Sequence, residues 1–287
     1  MFNFELSIQF LKVYQAVAKD QQHIQILIDS AAIETLLELW IKLEDQLQTG
    51  HFPLLRDILN TCQSFLDCPM MRERMTVFVP KLVKLTLADQ KPIDIRIQAS
   101  LIVINALTQS ASLSQVHVSN EGIGLIKLAF SKVHMLGDYR LQQNIIKIGY
   151  LATLTSQEQT NELGSELKFL LTDIIGDNAV LDLFSGIQSN SLSDNVQEIC
   201  KQINKKAEFS ETINVFNISA QVTFPIKSFA SCEISFGKLS VTFQHEDYNF
   251  AIERNNIQRI AFTENLNQIR IILRSTPNEI RDLFEGI

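Results

Sequence analysis

The chain repeats itself after 44 residues, and this internal repeat constrains the fold more than any other feature of the sequence. Residues 94–107 read DIRIQASLIVINAL, and residues 138–151 read DYRLQQNIIKIGYL. Asp, Arg and Gln coincide at the first, third and fifth positions of the two copies, and the apolar positions stay in phase. A second apolar segment with helical spacing precedes each copy, so the repeating unit is predicted to be helix, turn, helix.

A unit of this length is typical of armadillo and HEAT repeats, whose period is about 40–47 residues. Each such unit buries its apolar face only by stacking on its neighbours, which produces an elongated array with an extended surface. Apolar residues recur at intervals of three and four from Phe2 to about Ala207, as expected for amphipathic helices. The sequence therefore predicts an armadillo/HEAT-like helical domain over residues 1–209.

The spacing of apolar residues changes near Asn204, where alternation replaces the helical period. Six short antiparallel strands, rich in β-branched and aromatic residues, are predicted in this part of the chain. They are Ile213–Ala220, Ser231–Phe236, Leu239–Gln244, Tyr248–Glu253, Ile257–Thr263 and Ile269–Arg274. A short helix from Thr276 to Phe284 follows, with Thr276 as its N-cap and Pro277 in its first turn.

A compact meander closed by a terminal helix is typical of pleckstrin-homology-like domains. We therefore predict a small antiparallel pleckstrin-homology-like β domain with a C-terminal helix over residues 210–287. Together with the helical array, this makes the chain an α+β multidomain protein.

The charge of the chain argues against nucleic acid as a direct ligand. Acidic residues outnumber basic ones by 32 to 25, which gives a formal net charge of −7, whereas binding through phosphates requires a dense Lys and Arg face. Apolar stretches such as Leu101–Ile104 are far shorter than the roughly 20 residues of a membrane-spanning helix. Lys227 and Lys238 alone offer basic groups near the first strand loops, so a lipid headgroup site is not expected either.

Motifs that would carry catalysis are missing from the sequence. It contains no G-x-x-x-x-G-K-[ST], G-x-S-x-G or H-E-x-x-H, and Glu121–Gly124 is better explained as a turn between repeats than as a dinucleotide loop. The five histidines are dispersed, and Cys62 and Cys68 lack a second ligand pair at zinc spacing. We predict no enzymatic activity, no cofactor and no metal, and the few scattered cysteines favour the cytosol or nucleus.

Six arginines are the candidate protein-binding residues, in two groups. The first group belongs to the repeats, where a groove could form, although helix capping and salt bridges between repeats explain the same pattern. The second group lies in the β domain, where it could contact an acidic segment or a phosphopeptide, although solvated strand faces explain it equally well. The six residues are Arg96 and Arg140 in the repeats, and Arg254, Arg259, Arg270 and Arg274 in the β domain.

Three stretches of the chain resemble, in the same order, the N-terminal region of the synaptonemal complex protein 2 family. They are Phe78–Leu107, Leu136–Leu154 and Phe236–Ser275. The members of that family are core components of the meiotic chromosome axis. The resemblance implies an armadillo-like array followed by a domain similar to the histone-chaperone middle domain, which is itself pleckstrin-homology-like.

This resemblance also implies a nuclear scaffold on meiotic chromosomes that recruits axis, cohesin, centromere or chromatin proteins, with histones as a further candidate partner. Family members continue into a long disordered segment and a C-terminal coiled coil, and no sustained heptad repeat occurs here. Two other hypotheses stay open. One is a general armadillo-type adaptor in trafficking or signalling whose β domain binds a peptide or lipid, and the other is direct binding of histones or DNA.

Overall fold

The computed structural model of the chain describes residues 4–18, 26, 31–46, 52–67, 74–108, 119–154, 160–177, 179–185, 192–207, 215–225, 227–245, 249–262 and 268–283. Within these ranges ten α-helices precede six β-strands, so the predicted α+β class is confirmed. The helices are α1 (Phe4–Ala18), α2 (Ala32–Gln46), α3 (Phe52–Leu66), α4 (Val79–Leu87), α5 (Ile93–Thr108), α6 (Asn120–Ser131), α7 (Tyr139–Leu154), α8 (Thr160–Ile175), α9 (Ala179–Ser185) and α10 (Leu192–Ala207).

The chain divides into two compact units. The first unit comprises Met1–Ser131 and Asn144–Leu170, and the second comprises Lys132–Gln143 and Leu171–Ile287. The predicted domain boundary between residues 209 and 210 lies outside the described residues and stays a prediction. No helix in the described ranges is long and apolar enough to cross a membrane.

Polar side chains join every second helix in this part of the first unit, from α3 to α5 to α7. Gln98 in α5 donates a hydrogen bond from Nε2 to Oδ1 of Asn60 in α3, at 2.7 Å. Asn144 in α7 donates from Nδ2 to Oγ of Ser100 in α5, at 2.8 Å. Ser100 and Asn144 occupy the same position in the two copies of the 44-residue repeat, so the second helix of one copy contacts the second helix of the next.

Large apolar side chains fill the spaces between these helices. Trp40 is buried with its ring 6.1 Å from that of Phe78, edge to face. Phe130 is fully buried and lies against the backbone of α7 at Gly149, where a Cβ atom would collide with its ring. Because interiors are packed to crystal-like density, the absence of a side chain at this glycine lets the aromatic ring approach the helix.

The strands of the second unit are β1 (Val215–Thr223), β2 (Ser228–Gly237), β3 (Ser240–Gln244), β4 (Asn249–Glu253), β5 (Ile257–Phe262) and β6 (Ile269–Leu273). All six predicted strands are thus present, with ends shifted by a few residues. β1 to β4 form a four-stranded antiparallel sheet in sequence order, and β5 and β6 form a separate antiparallel pair.

One apolar core lies inside these strands. Phe224, Phe243 and Phe250 are buried there with ring centroids 4.9–6.2 Å apart, at separations typical of favourable aromatic pairs. Ile280 and Leu283 from the terminal helix join the same core. That helix was predicted from Thr276 to Phe284 and is a 3-10 helix over Asn278–Leu283, a tighter form that is common in such short segments.

Candidate protein-binding cleft

A cleft of about 460 Å³ lies in the second unit, between the β2–β3 turn and the first half of β5. Three of the arginines that the sequence singled out, Arg254, Arg259 and Arg274, line it. The other lining residues are Phe236, Gly237, Ser240, Val241, Asn255, Ile257, Gln258 and Ile260. We call this site the cationic cleft.

A β-bulge at Gln258 sets the direction of Arg259. Ile257 is paired with Leu273, and Arg259 is paired with Ile272, so one extra residue separates the two pairs. Ile257 and Leu273 both pack against the apolar core. In an unbroken strand Arg259 would face the same side as Ile257, but the bulge turns it to the opposite face.

Two other arginines share this outer face of the β5–β6 hairpin. Arg270 and Ile272 alternate along β6 with Ile271 and Leu273, which pack against the core, and Arg274 directly follows the strand. Arg259 lies directly opposite Ile272. Side chains of directly paired residues point to the same face of a sheet. Arg259, Arg270 and Arg274 therefore form one row, of which Arg270 lies beyond the lining of the cationic cleft.

Backbone hydrogen bonds fix the chain on both sides of this row. Arg254 donates its backbone N–H to Leu239 O at 2.9 Å, and its Nη1 lies 3.4 Å from Lys238 O. Arg274 donates its backbone N–H to Asn256 O at 2.7 Å. The main chain at Arg254 and Arg274 is thus already ordered, so binding through these two residues does not carry the cost of ordering a loop there.

The β2–β3 turn that borders the cleft is itself held by the segment before α7. Leu239 donates its backbone N–H to Gly137 O at 3.0 Å, and Ser240 donates its hydroxyl to the buried Asp138 carboxylate. A Cβ at Gly237 would lie 2.6 Å from Gly137 O. Gly137 itself has φ +69°, a backbone conformation that favours glycine.

Among the residues that the structure describes, no acid neutralises the positive charge of the cleft. The described part of its lining contains no carboxylate, and Arg259, Arg270 and Arg274 form no ion pair with a described residue. A guanidinium group stays protonated in proteins and presents five N–H donors in a planar fork. The arrangement can therefore bind an anionic group through several charge-assisted hydrogen bonds.

The two arginines of the repeat have different surroundings. Arg96 has 1% of its side chain exposed; its Nε donates to Thr86 O at 2.9 Å, and its Nη2 lies 3.1 Å from Asp89 Oδ1. Arg140 has 29% of its side chain exposed, with Nη2 3.6 Å from Asp138 Oδ2. Both guanidinium groups thus contact acids of their own unit, and a partner-binding groove around them stays a prediction.

A second, mostly apolar cavity of about 580 Å³ lies in the first unit between α6 and α8. Leu128 and Phe169 line it, with 43% and 66% of their surface exposed. An ion pair between Lys127 and Glu166 lies at the same place. The two charged side chains of the described lining thus neutralise each other, so this cavity, unlike the cationic cleft, offers no net charge to a ligand.

Burial shifts the pKa of several titratable groups among the described residues. Burial raises the pKa of the Cys62 and Cys232 thiols, so both stay protonated and weakly nucleophilic at neutral pH. Burial lowers the pKa of His134. No group of three or more potential metal ligands occurs in the described part of the chain.

Sequence reasoning found the arginines of the cleft but not its opposite wall. Gly237 and Ser240 come from a different hairpin, and no sequence pattern brings that hairpin to β5. The turn at Phe236–Lys238 was a visible signal, since Gly between two strands marks a turn. The bulge at Gln258 was missed, because the sequence from Ile257 to Phe262 carries no glycine to mark it.

Comparison with known proteins bears on the fold. No protein-family model matches the chain, and no curated protein matches it. A solved structure described as "Synaptonemal complex protein" is similar to it, with a TM-score of 0.64 and 12% sequence identity, over 99% of this chain and 86% of that chain. The chain therefore has the fold of that synaptonemal complex protein over nearly its whole length.

Proposed function

We propose that this chain is a non-catalytic docking module of a meiotic chromosome axis, at the lateral elements of the synaptonemal complex. In this role it recruits axis, cohesin, centromere or chromatin proteins in the nucleus, and any contact with DNA is indirect. The helical part is armadillo/HEAT-like, and the β domain is pleckstrin-homology-like, similar to the histone-chaperone middle domain.

The observation that carries this proposal is the extent of the structural likeness. A fold shared over 99% of this chain includes both the helices and the β domain, in the same order. The three stretches that resemble the synaptonemal complex protein 2 family likewise lie in both parts. Because folds host many functions, the site has to supply the rest of the argument.

Contacts within each part support the finer fold assignments. The hydrogen bond between Ser100 and Asn144 joins equivalent positions of two repeats, as expected where helical repeats stack on their neighbours. In the β domain, a four-stranded sheet, a strand pair and a terminal helix enclose one core. A meander of this kind closed by a helix is the arrangement that we predict for a pleckstrin-homology-like domain.

The cationic cleft supports recognition of a protein partner. It combines three arginines with apolar side chains such as Phe236 and Ile257, and arginine and aromatic residues are enriched where binding energy concentrates in protein interfaces. The complementary partner is an acidic segment, since opposite potentials favour encounter and suppress wrong partners. The basic tails of histones have the same charge as the cleft, so a histone contact would have to lie elsewhere.

Affinity purification tests the proposed function. The tagged chain would be isolated from cells in meiotic prophase at physiological salt, and the retained proteins would be identified by mass spectrometry. We expect axis, cohesin, centromere or chromatin proteins. Recovery of vesicle-coat or signalling proteins instead would mean that the shared fold serves a general adaptor in trafficking or signalling.

A further inference from the structure

We propose that the cationic cleft binds a phosphorylated serine or threonine of a partner protein. This inference rests on the proposed function, because it assumes that the cleft is the docking site for a protein segment. It names the chemical group that the site selects and the modification that would control docking.

The number of arginines favours phosphate over carboxylate. A carboxylate carries one negative charge and two accepting oxygens, whereas a phosphate monoester carries a charge of about −1.5 to −2 at neutral pH and three strongly accepting oxygens. Arg254, Arg259 and Arg274 line the same cleft, and the described residues of its lining include no carboxylate. Three guanidinium groups around one ligand match a dianion with three oxygens better than a single acidic side chain.

The bulge in β5 decides which face of the hairpin carries Arg259. Without the extra residue at Gln258, Arg259 would face the core side of the hairpin with Ile257. With it, Arg259 joins Arg274 in one row at the cleft. Bulges are over-represented next to functional sites because they redirect a side chain in this way.

Size and lining indicate that the phosphate belongs to a polypeptide. A volume of about 460 Å³ accommodates a phosphorylated side chain together with part of a neighbouring residue, within the range of about 300–1,000 Å³ that is usual for small-ligand pockets. Phe236, Ile257 and Ile260 supply apolar surface beside the arginines. An apolar residue next to the phosphorylated one would contact this surface.

Lys227 belongs to a different place in the β domain. Its Nζ lies over the Phe229 ring, 5.1 Å from the centroid, and it is not among the residues that line the cleft. The alternative in which the β domain binds a lipid would use Lys227 together with Lys238. The cleft therefore uses a different set of basic residues from that lipid hypothesis.

Peptide libraries provide the first test. A degenerate nine-residue library with a fixed central phosphoserine or phosphothreonine would be passed over the immobilised chain, beside the same library with unmodified serine or threonine and one with glutamate. We expect the phosphorylated library alone to yield a consensus, with an apolar residue beside the phosphate. Equal enrichment from the glutamate library would overturn the inference in favour of a general acidic segment.

Arginine-to-alanine variants then test whether the peptide binds in the cationic cleft. A fluorescent peptide with the selected consensus should bind by anisotropy at least about tenfold more tightly than its unphosphorylated form, a ratio readily resolved by titration. R259A and R274A should each weaken binding about tenfold, whereas R270A, with the same loss of charge on the same hairpin but outside the cleft, should change it less than about twofold. Equal losses in R270A and R259A would mean general electrostatic attraction and would overturn the site.

Two further experiments are needed. The first distinguishes a phosphopeptide from a lipid as the source of the phosphate, and the second tests the phosphate inference separately from the proposed docking function. Vesicles containing about 5% phosphatidylinositol bisphosphate that compete with the consensus peptide would assign the cleft to a lipid instead. Phosphatase treatment of the meiotic lysate should abolish partner recovery that depends on the cleft. If axis proteins are retained equally after that treatment, the phosphate inference falls while the docking function stands.

Discussion

Ser240 at the start of β3 donates its hydroxyl hydrogen bond to the buried carboxylate of Asp138, just before α7. The same carboxylate accepts the backbone N–H of Leu141 at 3.1 Å and so caps the helix. Ser240 also lines the cationic cleft. One buried acid thus joins the wall of the candidate binding site to the start of a helix in the repeat.

Replacing Ser240 tests this connection. S240A removes a donor from a fully buried carboxylate, and we expect a loss of about 2 kcal/mol in the free energy of unfolding, because hydrogen bonds to charged groups contribute about 1.5–3 kcal/mol. Urea denaturation followed by circular dichroism measures it. S228A, at an exposed serine of β2, should change stability by less than about 0.5 kcal/mol; equal effects of the two substitutions would refute the connection.

The amides of Gln142 and Asn204 hydrogen-bond to each other reciprocally, at 2.9 and 3.0 Å, and both are buried. We expect Q142L or N204L alone to cost about 1–3 kcal/mol, because each leaves a buried amide without its partner. The double variant Q142L/N204L should lose less than the sum of the two. Denaturation of the four proteins gives the coupling energy, and strict additivity would contradict a direct pair.

Gln98 provides the matched control for this cycle, since it holds the position equivalent to Gln142 in the other copy of the repeat. Its hydrogen bond to Asn60 is exposed. Water can replace the lost partner there, so Q98L should cost about 0.5 kcal/mol or less. A larger loss for Q98L than for Q142L would mean that burial does not decide the strength of these contacts.

Local pattern explains why so much of the fold was predictable. The Asp, Arg and Gln of the repeat signal helix starts, and both Asp94 and Asp138 do lie at the beginning of helices. Apolar, β-branched and aromatic residues identified all six strands, because such residues fit a pleated, partly buried surface. Pairing between distant residues was not predictable, since Gln142 and Asn204 are 62 positions apart and no local signal relates them.

The binding site, too, was predictable from local sequence pattern only in part. The exposed arginines of β5 and β6 were visible in the sequence, but strict alternation would place Arg259 with Ile257 on the core side. Its actual direction depends on a bulge at Gln258, which tertiary pairing with β6 imposes. Burial of Arg96 was equally hidden, because its acceptor, Thr86 O, belongs to the backbone of another helix.

Two glycines within helices of the first unit should respond oppositely to alanine. At Gly149 the new Cβ would collide with Phe130, so G149A should cost about 1–3 kcal/mol through overpacking. At Gly124 nothing lies within 4 Å, so G124A should add about 0.5–1 kcal/mol through helix propensity. The fluorescence of Trp40, the single tryptophan, follows unfolding of this unit; a stabilised G149A would contradict the packing described at α7.

Stability at high pH should depend on Tyr139. Burial, together with the nearby Cys200 and Glu233, raises the pKa of its phenol, whereas the unfolded phenol titrates near 10. Its contribution is complete below about pH 10, and it declines above that pH as the unfolded state alone loses the proton, by up to about 1.4 kcal/mol per pH unit. In Y139F we expect the free energy of unfolding to fall less steeply with pH above pH 10 than in the wild type. Denaturation at a series of pH values measures this slope, and an unchanged slope would show that Tyr139 does not cause the fall.

The most direct test of the docking function is quantitative purification from meiotic prophase cells with three forms of the tagged chain. They are the wild type, the cleft variant R254A/R259A/R274A, and the control R270A, each first shown to be folded by circular dichroism. We predict that axis or chromatin-associated proteins are retained by the wild type and by R270A, and that the cleft variant loses most of them. Equal retention by all three forms, or retention of trafficking proteins alone, would contradict a meiotic docking module that acts through its cationic cleft.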